Sequence, residues 1–349
     1  MPPPLPLRLL VFGMACAASA PPLAALLEAG FAVEALVLPP AGVAPSPPLG
    51  GGEHAGPPLL PLSRARGRVP SGRRLGGGGH PGGAASPIPH RRTSPPAAAN
   101  RAATPLHQAT WADGSVPEHL AAAAGVPVLR AAPDDPRVLA LASRVDAIVV
   151  ACFPAKLPPA LLARPRLGGL NVHPSLLPLG RGPAPVFWTL RRGERRTGAT
   201  VHRLDGGFDT GPIVAQRAVD LPEGIRAPDL ERDLMVLGGE LLVEALPLLA
   251  TGQLVPAPQD DARATRAPVP TPADWLVPTD LPAGWAFAFA RGVAPLGGPL
   301  AVRGPFGVVP VRDAVAHHPT ERPALPVETR PGGILRVRFA PGWVEFAPG

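Results

Sequence analysis

The stretch "VDAIVVACF", residues 145–153, holds one charged side chain, and "LPPALLARP" (157–165) and "LGGLNVH" (167–173) follow it. A short apolar run closed by turn residues reads as a strand buried on both faces. The middle segment, with prolines near its start, reads as a helix or turn, and the third segment as another strand. Strand, crossover and strand at this spacing form the parallel βαβ unit, whose sheet is covered by helices on both sides. That unit sets the fold class as α/β.

The same alternation extends upstream. "LRLLVFG" (7–13) is a second buried strand, "PPLAALLEAG" (21–30) a helix with Pro21 and Pro22 at its start and Gly30 at its end, and "FAVEALVL" (31–38) a third strand. This is a Rossmann-like opening. Arg8 before an apolar run that ends in Ala18-Ser19-Ala20 also has the look of a secretory leader. The βαβ spacing that follows favours a sheet strand. Farther along, "SVPEHLAAAAG" (115–125), "VPVL" (126–129) and "DPRVLALASR" (135–144) continue the rhythm, so the expected sheet is mostly parallel and doubly wound.

Downstream, "TGATVHRL" (197–204) and "GPIVAQRAVDL" (211–221) flank "DGGFDTG" (205–211), the pattern of a strand pair joined by a Gly-rich turn. A long helix is predicted in "APDLERDLMVLGGELLVEALPLLATG" (227–252). The expected domains are a catalytic one over 1–252, a linker over 253–272, and a small β-rich one over 273–349. The last is a barrel or sandwich built from "LAVRG", "FGVVPV", "ILRVRF" and "WVEF".

Composition bears on partners more than on fold. Tyr is absent, Lys occurs once as Lys156, and there are 54 prolines and 40 glycines among 349 residues. The net charge is +7, and between about 40 and 112 eight arginines, including Arg64, Arg66 and Arg68, face the single acid Glu53. This segment alone carries the excess, so a basic partner-binding surface is expected there. Its Pro, Gly, Ser and Arg clusters have no sustained apolar period and predict a mobile insertion. The two cysteines, Cys16 and Cys152, imply no disulfide framework and suit a reducing compartment. No apolar run reaches a membrane span. A cytoplasmic monomer without a membrane partner is expected, and no cluster has metal-ligand spacing.

Residues i and i+2 of a strand share a face, so Asn171 and His173 project side by side where open α/β sheets hold their ligands. An imidazole beside a carboxamide offers a proton-transfer group and a fixed donor, a combination suited to an oxyanion on a carbonyl under attack. The "DGGFDTG" loop supplies carboxylates, Asp205 and Asp209. His202 lies on an alternating strand and reads as a surface or packing residue.

"GLNVHPSLLPLGRGPAP" (169–185) followed by "TGATVHRLDGGFDTGPIV" (197–214) resembles the folate-dependent formyltransferases, most closely those that act on methionyl-tRNA. The shared pattern is Asn-x-His, then Ser-Leu-Leu-Pro-x-x-Arg-Gly, and later Asp-x-Gly-x-Asp-Thr-Gly. What the resemblance implies is formyl transfer from 10-formyltetrahydrofolate, a co-substrate, to an amine, with initiator methionyl-tRNA as the acceptor and no metal. On that reading Asn171 and His173 polarise the formyl oxygen, while Asp209 keeps His173 protonated and helps move the amine proton. Asp205 is a turn residue. Phe153, Pro154 and Leu157, with Ser175, Leu176, Leu177 and Pro178, are the candidates to line the folate pocket. Arg181 and Gly182, together with Arg64, Arg66 and Arg68, are the candidates for substrate contact, Arg181 equally as a bridge within its own loop. The first turn, "GMACAASAPPL" (13–23), departs from the Gly-Thr-Pro usual there, and the basic insertion is far longer than that of the family. An amino-sugar nucleotide or other small amine is the alternative acceptor. A catalytically silent folate- or RNA-binding module is the alternative of another class.

Overall fold

The computed structural model describes residues 6–40 and 117–349. The basic segment, with Arg64, Arg66 and Arg68, lies outside the described residues. The chain runs β1 (Arg8–Gly13), α1 (Ala20–Glu28), β2 (Ala32–Leu38), α2 (Pro117–Ala123), β3 (Val128–Arg130), α3 (Pro136–Ala142), β4 (Ala147–Ala151), α4 (Pro159–Leu162) and β5 (Gly169–His173). Then come α5 (Pro185–Arg191), β6 (Arg196–Arg203), β7 (Ile213–Asp220) and the long helix α6 (Ala227–Ala250). The first sheet has the order β3-β2-β1-β4-β5-β6-β7. Its first five strands in that order are parallel, whereas β6 joins β5 antiparallel and β7 joins β6 antiparallel.

The apolar runs divide by strand parity, as a two-sided sheet requires. Leu9 and Val11 of β1, Leu36 and Leu38 of β2, Val149 of β4, and Leu170 and Val172 of β5 face one core. Leu10 and Phe12, Val37, and Ile148 and Val150 face the other, with Leu157 and Leu161. By the same parity Asn171 and His173 sit on the second face. The first core is roofed by α1 and α6. An added Cβ on Gly238 would lie 2.1 Å from Val172 Cγ1, and one on Gly239 would lie 2.9 Å from Ala25 Cβ. Two adjacent glycines thus let the helix touch the sheet on one side and α1 on the other.

After α6 the chain crosses residues 253–272 with only short 3-10 turns and reaches β8 (Leu276–Pro278), α7 (Ala283–Val293), β9 (Ala301–Gly304), β10 (Gly307–His318), β11 (Val327–Thr329), β12 (Leu335–Arg338) and β13 (Trp343–Pro348). The second sheet has the order β11-β12-β13-β10-β9-β8, antiparallel except between β8 and β9. β10 pairs with β9 through residues 307–310 and with β13 through residues 311–318, with register shifts that bend it. Trp275, Phe289 and Phe346 pack here with Phe187 of α5, so this core is continuous with a helix of the first sheet.

Candidate active site

His173 is the last residue of β5, 5% exposed, and its Nε2 lies 2.9 Å from the Gly180 carbonyl oxygen. A carbonyl only accepts, so the imidazole donates from Nε2. Its Nδ1 faces Asp209 Oδ1 at 3.7 Å. Asp209 comes from the β6–β7 loop, which folds back across the face of β5. The residue has φ 56°, a left-handed conformation that Asp tolerates better than most residues. Its Oδ2 accepts the Gly182 N–H at 2.9 Å. Gly182 itself has φ 125°, and a Cβ there would lie 2.7 Å from the Ala267 carbonyl oxygen, so this donor depends on glycine.

The structure adds a residue that the sequence reading set aside. His202 on β6 is directly opposite Asn171 in register and almost fully buried. Its Nδ1 donates to the Arg203 carbonyl oxygen at 2.8 Å, which leaves Nε2 to accept from Asn171 Nδ2 at 3.1 Å. The same Nε2 is 3.5 Å from Asp209 Oδ1. One carboxylate therefore stands between two imidazoles, one of which also holds the carboxamide. Strand alternation could not reveal this, because the pairing of β5 with β6 decides which residues meet.

Burial works against ionisation of Asp209, but His173, His202 and the Gly182 N–H outweigh it and hold the carboxyl down at about 2. His173 moves opposite to the expectation that Asp209 keeps it protonated. Desolvation of the enclosed ring outweighs Asp209 and the Gly180 carbonyl, and its pKa falls below the ordinary imidazole value. In the substrate-free protein the carboxylate is thus ionised and the His173 ring neutral at neutral pH.

A family described as formyl transferase matches residues 108–246, the part of the chain that carries Asn171, His173, His202 and Asp209. The match covers less than half of the chain, and over that part the chain is similar to the formyl transferases. The methionyl-tRNA formyltransferase of Roseiflexus sp. (strain RS-1) is 42% identical over 195 residues, 54% of this chain and 56% of that protein. That of Chloroflexus aggregans is 45% identical over 168 residues, 47% of this chain and 54% of that protein. The chain spans about half the length of the curated relatives it matches. An N-formyltransferase from Helicobacter canadensis, solved in complex with folinic acid and dTDP-3-aminofucose, superposes with a TM-score of 0.60 over 97% of this chain and 98% of that one, at 11% identity. The likeness in fold thus extends over both sheets.

Within the matched region the other candidates take different places. Phe153 is half-buried, edge-to-face with Phe12 at 5.2 Å, and Pro154 is exposed, whereas Leu157 belongs to the core behind them. Ser175 and Leu177 are buried inward. The Ser175 hydroxyl donates to the Leu179 carbonyl at 2.6 Å, and Gln216 Nε2 donates to the Leu177 carbonyl at 2.9 Å. Leu176 and Pro178 are half-buried. Arg181 is 5% exposed, and its guanidinium donates to Gln259 Oε1 at 2.8 Å and to Asp261 Oδ1 at 2.7 Å. Of its two readings these contacts describe the bridge within the protein, with Nε and Nη2 engaged by Gln259 and Asp261. Asp205 Oδ1 accepts from Gly207 N and Thr210 Oγ1 and shapes the turn.

Residues 253–272, expected to be a linker, form a strap over the site. Gln259 Nε2 donates to the carbonyls of Asp209 and Gly211 at 2.9 and 2.7 Å. Thr265 Oγ1 accepts the Gly180 N–H, and Ala267 exchanges backbone hydrogen bonds with Arg181 and Ala184. The loop that bears Asp209 and the loop that bears Gly180 and Gly182 are thereby fastened to one another. Across the opening, Lys156 Nζ donates to the Gly206 carbonyl at 2.9 Å and lies 4.1 Å from the centre of the Phe208 ring, a side chain 62% exposed. Among the described residues no group of His, Cys, Asp or Glu side chains is arranged to hold a metal ion.

Proposed function

We propose that the protein transfers a formyl group from 10-formyltetrahydrofolate to an amine, with the amino group of methionyl-tRNA as the acceptor. The observation that carries this reading is the ionised, largely buried Asp209 between His173 and His202, with the Asn171 carboxamide beside it. On this reading residues 1–252 carry the chemistry, 253–272 are the connecting segment, and 273–349 form a C-terminal β-rich domain. The half-exposed Phe153 and the exposed Pro154, with Lys156 of the same loop reaching the Phe208 ring, suit the flat ring of a folate. Leu157 shares a core with Phe153, and Ser175, Leu176, Leu177 and Pro178 are proposed to complete the pocket.

The folate supplies a formyl group on a nitrogen that can leave. Attack by a neutral amine places negative charge on the formyl oxygen and positive charge on the amine nitrogen. One hydrogen of Asn171 Nδ2 is taken by His202, so the other is a fixed donor for that oxygen, oriented before the substrate arrives. Asp209, ionised, accepts the proton shed by the amine. His173, with Nδ1 toward Asp209, passes a proton on to the departing nitrogen. The new carbon–nitrogen bond replaces the old one, and the amine proton ends on the leaving group. A neutral His173 suits this relay, because it can accept before it donates.

A transfer assay comparing initiator methionyl-tRNA with a panel of amino-sugar nucleotides tests the proposal. Tetrahydrofolate release driven by the tRNA is expected. Release with amino sugars alone would replace the acceptor, and release with none, or full turnover by His173→Ala, would sink the reading.

A further inference from the structure

The sequence contains two cysteines, and the fold brings them together from 136 residues apart. Cys16 Sγ and Cys152 Sγ are 3.7 Å from one another, at sulfur–sulfur contact. Cys16 leads into the turn after β1, and Cys152 is the first residue beyond β4, so the pair spans the carboxyl ends of two neighbouring central strands. The ends of the two strands are tied together by Ser19. Its Oγ accepts the Met14 N–H at 2.8 Å and donates to the Ala151 carbonyl at 2.7 Å. Cys152 has φ 58°, an uncommon conformation for a residue with a side chain. Cys152 is exposed and Cys16 half-exposed as residues, and the sulfurs themselves are partly desolvated.

We infer that Cys16 and Cys152 form a thiol–disulfide exchange site, at which a small disulfide such as oxidised glutathione converts the two thiols into one intramolecular disulfide. Cys16 attacks first. Its sulfur meets both Cys152 Sγ and Ser19 Oγ at 3.7 Å, and these hydrogen bonds outweigh burial and lower its thiol pKa, whereas Cys152 is pushed up. Glu231 of α6 is the carboxylate whose charge bears on both thiols. The Cys16 thiolate forms a bond to one sulfur of the small disulfide and releases the other half as a thiol. Cys152 then loses its proton and attacks the Cys16 sulfur, and the second half leaves as a thiol. The protein dithiol is oxidised by two electrons and the small disulfide is reduced to two thiols. The sulfurs close from contact to a bond of about 2 Å, a movement within reach of side-chain rotation at the ends of two fixed strands.

The inference does not depend on formyl transfer, and its test reads no activity. The full chain is incubated with oxidised glutathione, quenched with an alkylating reagent, and followed by intact mass and peptide mapping. The expected product has lost two hydrogens, offers no thiol to the reagent, yields one peptide joining Cys16 to Cys152, and reverts with dithiothreitol. Cys152→Ser is expected to keep glutathione on Cys16 as a stable adduct, and Cys16→Ser to react roughly tenfold or more slowly at neutral pH. A lasting glutathione adduct on the unmutated chain, or two thiols that stay open to alkylation, overturns the site. Cys16→Ser reacting as fast as the unmutated chain overturns the order of attack.

Discussion

Asp209 reaches His173 through a backbone conformation that most residues avoid, and the choice of substitution there decides what is measured. Asparagine tolerates the left-handed region at least as well as aspartate. Asp209→Asn is therefore expected to fold and to lose transfer activity by about a thousandfold, while Asp209→Ala adds a loss of stability from backbone strain. The carboxyl is held at about 2, below its ordinary value. Its stabilisation is present above the unfolded value and is lost as the pH falls toward 2. Urea unfolding between about pH 5 and 2 should show a steep decline for the unmutated chain and a shallower one for Asp209→Asn, the gap above pH 4 being about 2 kcal/mol. His173 acts in the same direction. Its lowered pKa means that the folded state resists protonation, so its stabilisation is lost as the pH falls below the ordinary imidazole range. His202→Leu removes the acceptor that orients Asn171, and is expected to lower kcat roughly tenfold with little change in KM for the folate. Equal effects on both constants would assign His202 to binding instead. Asn171, His173 and Asp209 were legible as a motif, because two share a strand face and the third lies in a glycine-rich loop. His202 was not, because its part depends on a strand partner that no local pattern specifies.

At the scale of elements, the central strands were legible because a sheet covered on both sides demands continuous apolar runs, and β1, β2, β4 and β5 supply them. α7 was not. Its sequence "WAFAFA" (285–290) alternates aromatic with small residues, a period of two inside a helix, and only packing against the second sheet selects the helix. The strap was equally hidden. "VPAPQDDARATRAPVPTPADW" (255–275) has linker composition, yet Gln259 makes hydrogen bonds to three residues on two loops. Gln259→Ala frees those loops without touching the face of the site, so turnover should fall roughly tenfold while the melting temperature drops only modestly. A melting temperature that collapses instead would make Gln259 a folding residue. Gly238→Ala should cost about 2 kcal/mol through its clash with Val172, and Val172→Ala in the same chain should recover most of it. Failure of that rescue would put the cost elsewhere in α6.

For the whole molecule, charge and continuity matter more than any one contact. Since the basic excess resides between about 40 and 112, transfer to a tRNA should weaken steeply as salt rises from about 50 to 200 mM, and transfer to a small amine should not. Deleting residues 45–108 should flatten that dependence, and an unchanged salt slope after deletion would move the basic contact elsewhere. No helix among the described residues is long and apolar enough to cross a membrane. The fold class followed from the strand rhythm, and the second sheet from short turn-rich runs. Their joining did not, because Phe187 of α5 meets Trp275 and Phe289 across nearly a hundred residues of sequence. The strap has a consequence for recombination. A chimera spliced after residue 252 would import, with a foreign second sheet, a foreign latch for the Asp209 loop. The two halves therefore cannot be inherited or exchanged independently at that seam, and a working crossover has to fall beyond Ala267, downstream of the last strap residue that holds the site.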